Sequence, residues 1–272
     1  MNQKKQSEIH MRPDNHEIPV GIIPRIENQK LHFEFLNGNK YITWIMVDIH
    51  GAEALTNKGH TALSAFGSDL KVITTTTISD DIIVKYHLEK ELSVVKAFRP
   101  NYHIPCDRPV YVSQNEKERL WIVETYVQEL SRFVHEIEGS GVNIIPLLKG
   151  INFKEKKICY NKFKELDLDY IAYYSGQYFG RGRGNRSREL VRDIQKIVSE
   201  SGIEKILLIG SQSVNCLEKL PPQVISAAGL HQWLINSGLR DVPIEQAQEN
   251  YCRWAEIAEK KLDCGQDVLK LC

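Results

Sequence analysis

Nothing in these 272 residues spells a metal site. Six cysteines occur, at 106, 159, 216, 252, 264 and 272, but no two form a C-x2-C pair, and no Cys/His cluster has zinc-finger spacing. Five of the six fall in helix-like or strand-like segments, so buried, reduced thiols are expected and no metal is. An excess of charge of one sign is lacking too. Lys+Arg and Asp+Glu number 35 each, for a formal net charge of zero. A whole-surface attraction to nucleic acid is thereby excluded, and any such binding must use a local basic patch. No apolar run approaches the ~18 residues that would span a bilayer. The opening MNQKKQSEIHMRPDNHE has no apolar centre, so no signal peptide and no membrane partner are expected, and a reducing, cytoplasmic location is the default. The G-x-x-x-x-G-K-[ST] and G-x-G-x-x-G patterns are also missing, which argues against a nucleotide-binding open sheet; no cofactor is expected.

What is present is alternation. Residues 1–17 read as a flexible segment. IPVGIIPRI (18–26) and KLHFEFLNGNKYITWIMVDIHG (30–51) read as β-rich, with ITWIMVDI a strand buried on both faces. HTALSAFGSDL is a short helix candidate, KVITTTTI a strand by its β-branched content, SDDIIVKYHLEKEL a helix, and 94–107 extended. From 113 the pattern is more regular. Ser113 and Glu116 suggest a capping box, and Leu120, Val123, Val127, Leu130, Val134 and Ile137 mark a helical stripe. VNIIPLLKG, YIAYYSG, IEKILLIGS and QVISAA follow as strands separated by helices, and 244–263 is a C-terminal helix. Strand–helix alternation of this kind demands parallel strands with right-handed crossovers. With seven or eight strands repeating about every 30 residues, it predicts an α/β fold, a (β/α)8 TIM-like barrel over 18–243 with 244–272 packed on it.

One stretch, YIAYYSGQYFGRGRGNRSRELVRDIQKIV (170–198), places a Gly/Arg loop between a strand and an amphipathic helix. Gly180, Gly182 and Gly184 permit tight turns, Asn185 fits an N-cap, and Arg181, Arg183, Arg186 and Arg188 crowd a helix N-terminus, where an anion is favoured. That is the chemistry of a phosphate or nucleic-acid contact; a solvated Arg-Gly loop is the alternative.

In a parallel barrel the chemistry sits at the C-terminal ends of strands. Those ends carry Asp48, Asp107, Lys149 with Gly150, Ser175 with Gly176, Gly210 with Ser211, and Ser226. Two carboxylates there suit acid/base work and acceptance of a base's N–H groups, although either Asp also suits a helix N-cap or turn. His50 stands close enough in sequence to orient Asp48, or is a surface histidine. Tyr173, Tyr174, Tyr178 and Phe179 offer stacking faces, with one of the two strand tyrosines turned into the core by the alternation of a strand.

The order of these segments resembles the tRNA-guanine transglycosylase superfamily, including its DNA-acting branch that installs 7-deazaguanine bases. VDIHGAEAL (47–55), NYHIPCDRPVY (101–111), IIPLLKG (144–150), DLDYIAYYSG (167–176) and EKILLIGSQS (204–213) carry the likeness, which covers roughly residues 40–235. The resemblance implies Asp48 as acid/base or its helper and Asp107 as the residue that recognises the guanine-like base. Lys149 stands where the family has Gln, and the backbone after 174, with Tyr174, Ser175 and Gly176, lies against the base. It also implies a dimer. The chain departs from the family in two places. Ser226, Ala227 and Ala228 stand where the nucleophilic Asp belongs, and Cys252, Cys264 and Cys272 do not reproduce the C-terminal zinc site.

The expected function is a pentosyltransferase that exchanges guanine in a polynucleotide, DNA rather than tRNA, for a 7-deazaguanine base. Two alternatives stand beside it: a non-catalytic subunit that binds nucleic acid or a protein partner, and a nucleoside hydrolase.

Overall fold

The computed structural model describes residues 17–179 and 186–268. In chain order the first half runs β1 (Gly21–Ile26), α1 (Lys30–Leu36), β2 (Trp44–Asp48), α2 (Ile49–Thr56), α3 (Ala62–Phe66), β3 (Lys71–Thr75), α4 (Asp80–Ile83), α5 (Leu88–Phe98), β4 (Tyr102–Ile104) and α6 (Glu116–Ile137). The second half runs β5 (Asn143–Ile144), α7 (Phe153–Glu165), β6 (Tyr170–Tyr174), a 3-10 turn (Gly176–Tyr178), α8 (Ser187–Ser201), β7 (Lys205–Ile209), α9 (Val214–Leu217), β8 (Val224–Gly229), α10 (His231–Ser237) and α11 (Ile244–Val268).

The strands make one sheet of eight, ordered β5-β4-β3-β2-β1-β8-β7-β6, and every paired neighbour is parallel. Successive side chains of a strand face opposite ways, and here both ways are apolar. Ile22, Ile45, Val47, Val72, Ile171 and Leu208 join the helices in the larger core. Ile23, Met46, Ile73, Ile104, Ala172, Leu207 and Ala228, with Ile145 and Leu147 just past β5, make a second core of their own. All eight strands, counting that continuation of β5, feed this second core, which requires the sheet to curl around it. Its edges meet where Leu147 bridges Ala172, with Ala172 N–H donating to Pro146 O (2.8 Å) and Leu148 N–H to Ala172 O (2.9 Å). Pro146 has no N–H to extend that contact, and no continuous ladder closes the sheet among the described residues. The architecture is thus the expected α/β one, a curled, all-parallel, TIM-like sheet with helices outside.

Several local expectations need correction. KLHFEFL is the helix α1, not β-rich chain: His32, Phe35 and Leu36 are its buried residues, at helical spacing, and Phe35 stacks on Trp233 of α10 at 5.0 Å. Residues 94–98 are the end of α5, which stops at Arg99 in the left-handed region (φ 56°) because Pro100 follows. The capping box of α6 is Asn115 with Glu118, two residues later than expected. β8 ends at Gly229, so Ser226 is no strand-end residue. It is fully buried, and its Oγ meets Tyr170 Oη at 2.6 Å beside Pro19, at the opposite end of the sheet. Among the cysteines, 106, 159 and 216 are buried and free, while Cys252 is only half-buried.

One cation is largely buried in this fold. Lys156 of α7 is 5% exposed. Among the described residues its ammonium has no hydrogen-bond partner, only the Tyr173 ring with its centroid 5.8 Å away. Burial pushes its pKa below the ordinary 10.5, against the opposing pull of Asp193 and Glu200. The folded state therefore binds the proton less well than the unfolded chain, and stability should rise as pH climbs through the lowered value toward 10.5. Lys156→Met is expected to stabilise the protein by about 1–2 kcal/mol at neutral pH and to remove that alkaline rise; urea melts between pH 7 and 10.5 test both.

Candidate functional site

The C-terminal ends of the strands open on one face, and the acidic residues read from the sequence stand there. Asp48 is the last residue of β2 and caps α2. Its Oδ1 accepts from Gly51 N–H at 2.7 Å, and its Oδ2 accepts from Arg25 Nη2 at 3.3 Å. Arg25, near the end of β1, also donates from Nη1 to Thr77 O at 3.0 Å, which ties the loop after β3 to this corner. The Asp48 carboxylate is thus both a cap and one half of an ion pair.

Asp107 lies just beyond β4. Cys106, before it, takes the left-handed conformation (φ 59°), uncommon for a side-chain-bearing residue. Its N–H is held by buried Glu91 Oε1 at 3.0 Å, the oxygen that also meets His103 Nε2 at 2.8 Å. Thr76 Oγ1 accepts from Asp107 N–H at 3.0 Å and donates to Ile104 O at 3.0 Å. The turn so fixed carries the Asp107 carboxylate to Lys149 Nζ, with which it forms an ion pair; side-chain exposures are 14% and 9%. The two residues assigned to a base's edge are therefore brought together at the mouth, largely shielded from water. Gly150 (φ 105°) turns the chain from Lys149 into α7.

Aromatic faces stand beside this pair. Tyr174 is 46% exposed and its hydroxyl lies over Gly176, while Tyr173 turns the other way into the core, where its Oη meets Tyr178 Oη at 2.7 Å. Tyr111 is also exposed, and its hydroxyl donates to Asp80. That bond, then burial, then the charges of Asp80, Asp107 and Tyr174 raise the Tyr111 pKa to about 12. Ser175 is fully buried and donates to Ile209 O at 2.8 Å, so its hydroxyl is already engaged.

Gln212, just after β7, ties β1 to β8: its amide donates to Ile23 O (2.9 Å) and to Ala227 O (3.0 Å), and its own Oε1 is buried without a partner among the described residues.

The basic cluster fares differently. Arg181 and Arg183, with Gly180, Gly182, Gly184 and Asn185, lie outside the described residues. Arg186 stands at the N-cap of α8 but makes no cap bond; its guanidinium is paired with Glu189 and sits 6.0 Å from the Tyr178 ring centroid. Arg188 is exposed. A cavity of about 280 Å³ opens beside them, lined by Phe179, Ser187, Ser213, Asn215, Cys216, Glu218 and Lys219; of these only Phe179, as a stacking face, was expected from the sequence.

His50 does not orient Asp48. Its Nδ1 lies 3.3 Å from Tyr86 Oη. Sequence reasoning also missed Arg25, Thr76, Tyr86, Tyr111 and Gln212. Only Arg25 had a usable signal: the strand-end rule, applied to β1 as well as to β2, points to it.

Among the described residues no helix is long and apolar enough to cross a membrane, and no group of three His, Cys, Asp or Glu is placed to hold a metal ion. No known protein family matches this chain, and neither does any curated protein.

Proposed function

We propose that the chain is a transglycosylase-like enzyme on a (β/α)8 scaffold, exchanging guanine in a polynucleotide, DNA rather than tRNA, for a 7-deazaguanine base. The observation that carries this reading is the Asp107–Lys149 pair at the strand mouth. Guanine's edge offers the N1–H and N2–H donors beside the O6 acceptor. A carboxylate and an ammonium held side by side are the complement of that edge, and charge-assisted hydrogen bonds are the stronger kind. Lys149 thus takes over, with a full charge, the donor role that the resemblance gives to Gln. Tyr174 and Tyr111 supply exposed rings for stacking, which suits a base swung out of its helix to be reached.

The sugar becomes cationic as its bond to the base breaks, and the Asp48 carboxylate stabilises it. With no acid at 226–228, the incoming base traps that sugar directly, without a covalent enzyme intermediate. One observation favours the non-catalytic subunit instead: Asp48 and Asp107 are both already engaged, by Arg25 with the α2 cap and by Lys149.

The test incubates the protein with DNA, and separately with tRNA, plus the 7-cyano-7-deazaguanine base, and quantifies modified nucleosides by mass spectrometry after digestion. Modified nucleoside is expected in DNA, falling at least ~100-fold in Asp107→Ala, as loss of a positioned polar contact does. Binding without product favours the subunit; cleavage of free nucleoside favours the hydrolase.

A further inference from the structure

We propose that His50 is the group that moves the proton at this mouth, held in its Nδ1–H tautomer by a Tyr86–Glu53 relay that leaves Nε2 to give and take it. The reading rests on base exchange for the proton's destination; the relay itself does not.

Hydrogen-bond accounting sets the tautomer. Glu53 of α2 bonds Lys90 Nζ at 2.8 Å and accepts from Tyr86 Oη. Burial by itself would raise the Glu53 pKa, but the bonds from Lys90 and Tyr86 outweigh it and hold the carboxyl below its ordinary range. Glu53 is therefore ionised near neutrality and can only accept. Burial first, then Glu53, raise the Tyr86 pKa, so the phenol keeps its proton, and Lys90 sits 4.4 Å from the Tyr86 ring centroid. A phenol has one O–H, and Glu53 takes it. The Tyr86 oxygen then has only lone pairs to offer His50 Nδ1 at 3.3 Å, so Nδ1 must donate. In neutral His50 this leaves the Nε2 lone pair uncommitted, on an exposed residue in the first turn of α2, two positions beyond Asp48. Which ring nitrogen carries the proton is set by the bond the other one makes. The charged and titratable groups around His50 are Asp48 and Glu53 on its own segment, Tyr86 beyond α4 and Lys90 on α5, with Arg25 across Asp48.

In base exchange the proton balances. As the sugar–base bond breaks, its electron pair goes to the ring nitrogen of the departing guanine, and imidazolium Nε2–H protonates that base. The incoming deazaguanine attacks the cationic sugar and surrenders its ring N–H to the now neutral Nε2. No proton is gained or lost over the cycle, and no acid is needed at 226–228.

The experiment has two arms. Long-range ¹H–¹⁵N correlation on labelled full-length protein at pH 8, with His50→Gln to assign the signals, reads the tautomer. The Nδ1–H pattern is expected in the wild type, reverting in Tyr86→Phe and in Glu53→Ala toward the Nε2–H form that free imidazole prefers. Base exchange on DNA across pH is the second arm. His50→Gln should lose about 100-fold or more, as general acid–base groups do, with an altered pH dependence of the remaining rate. Tyr86→Phe should retain part of the rate. An Nε2–H signal in the wild type overturns the relay whatever the activity. Exchange by His50→Gln at the wild-type rate, with an unchanged pH profile, overturns the proton-transfer role. Absence of exchange in the wild type, with Nδ1–H present, removes the base-exchange reading and the role with it, while the relay stands.

Discussion

Lys149→Met is expected to cost about 3 kcal/mol of stability, and Asp107→Asn added to it to return most of that loss. Removing one partner of a buried ion pair strands the other charge away from water, which typically costs about 3–5 kcal/mol. The lower end applies because both side chains keep some access to water, at 14% and 9%. The backbone of Asp107 does not follow Lys149. Its N–H is held by Thr76, and the turn before it by Glu91, so the carboxylate stays in place when its partner leaves. Urea melts of the two single variants and the double variant give the coupling energy, expected above about 1 kcal/mol for residues in direct contact. A Lys149→Met cost under about 1 kcal/mol would place the pair with exposed salt bridges and remove the premise that this edge of the mouth is dry. Retained stability in the double variant, with base exchange abolished, would separate the pair's chemical role from its structural one.

Gly150→Ala should be more damaging still, losing more than ~4 kcal/mol or failing to give folded protein, the range reserved for core and backbone clashes. At φ 105° the backbone already lies where residues with a Cβ are strained. A Cβ there would stand 2.7 Å from Glu155 Cβ and 3.0 Å from Lys156 N, both fixed on α7. Glu155 cannot retreat. It is fully buried, its Oε1 accepts from Arg119 Nε at 2.9 Å, and its Oε2 accepts from Ile151 N–H at 2.7 Å. Gly38→Ala is the control. It also has positive φ (69°), but nothing lies within 4 Å of the added carbon, so only the left-handed backbone penalty of about 1–2 kcal/mol applies. Thermal melts that showed the two variants equally stable would mean that the turn from Lys149 into α7 yields, and that Lys149 is not rigidly placed.

Much of this architecture is legible in the sequence because its signals are local. ITWIMVD is apolar on both faces whatever surrounds it, and the residues at 123, 127 and 130 share a helix face through 3.6 periodicity alone. Asp48 and Asp107 could be picked out because a strand's last residues project from one edge of a parallel sheet. α1 could not be read so simply. KLHFEFL alternates apolar residues at 31, 33 and 35 while also spacing buried ones at 32, 35 and 36, and the contacts of Phe35 with Trp233 and Tyr251 chose the helix. The partners of the site's charges were beyond sequence reading. Arg25 meets Asp48 because β1 and β2 are neighbours, Lys149 meets Asp107 because the chain past β5 runs beside the chain past β4, and Tyr86 reaches His50 from 36 residues away. Gln212 reaches Ile23 O across 189 residues. Local periodicity determined which residues would be strands and which acids would stand at their ends. The order and curl of the sheet decided which cation neutralises each acid and which proton each side chain is left to give, because hydrogen bonds and ion pairs depend on distance in space and carry no trace in sequence spacing.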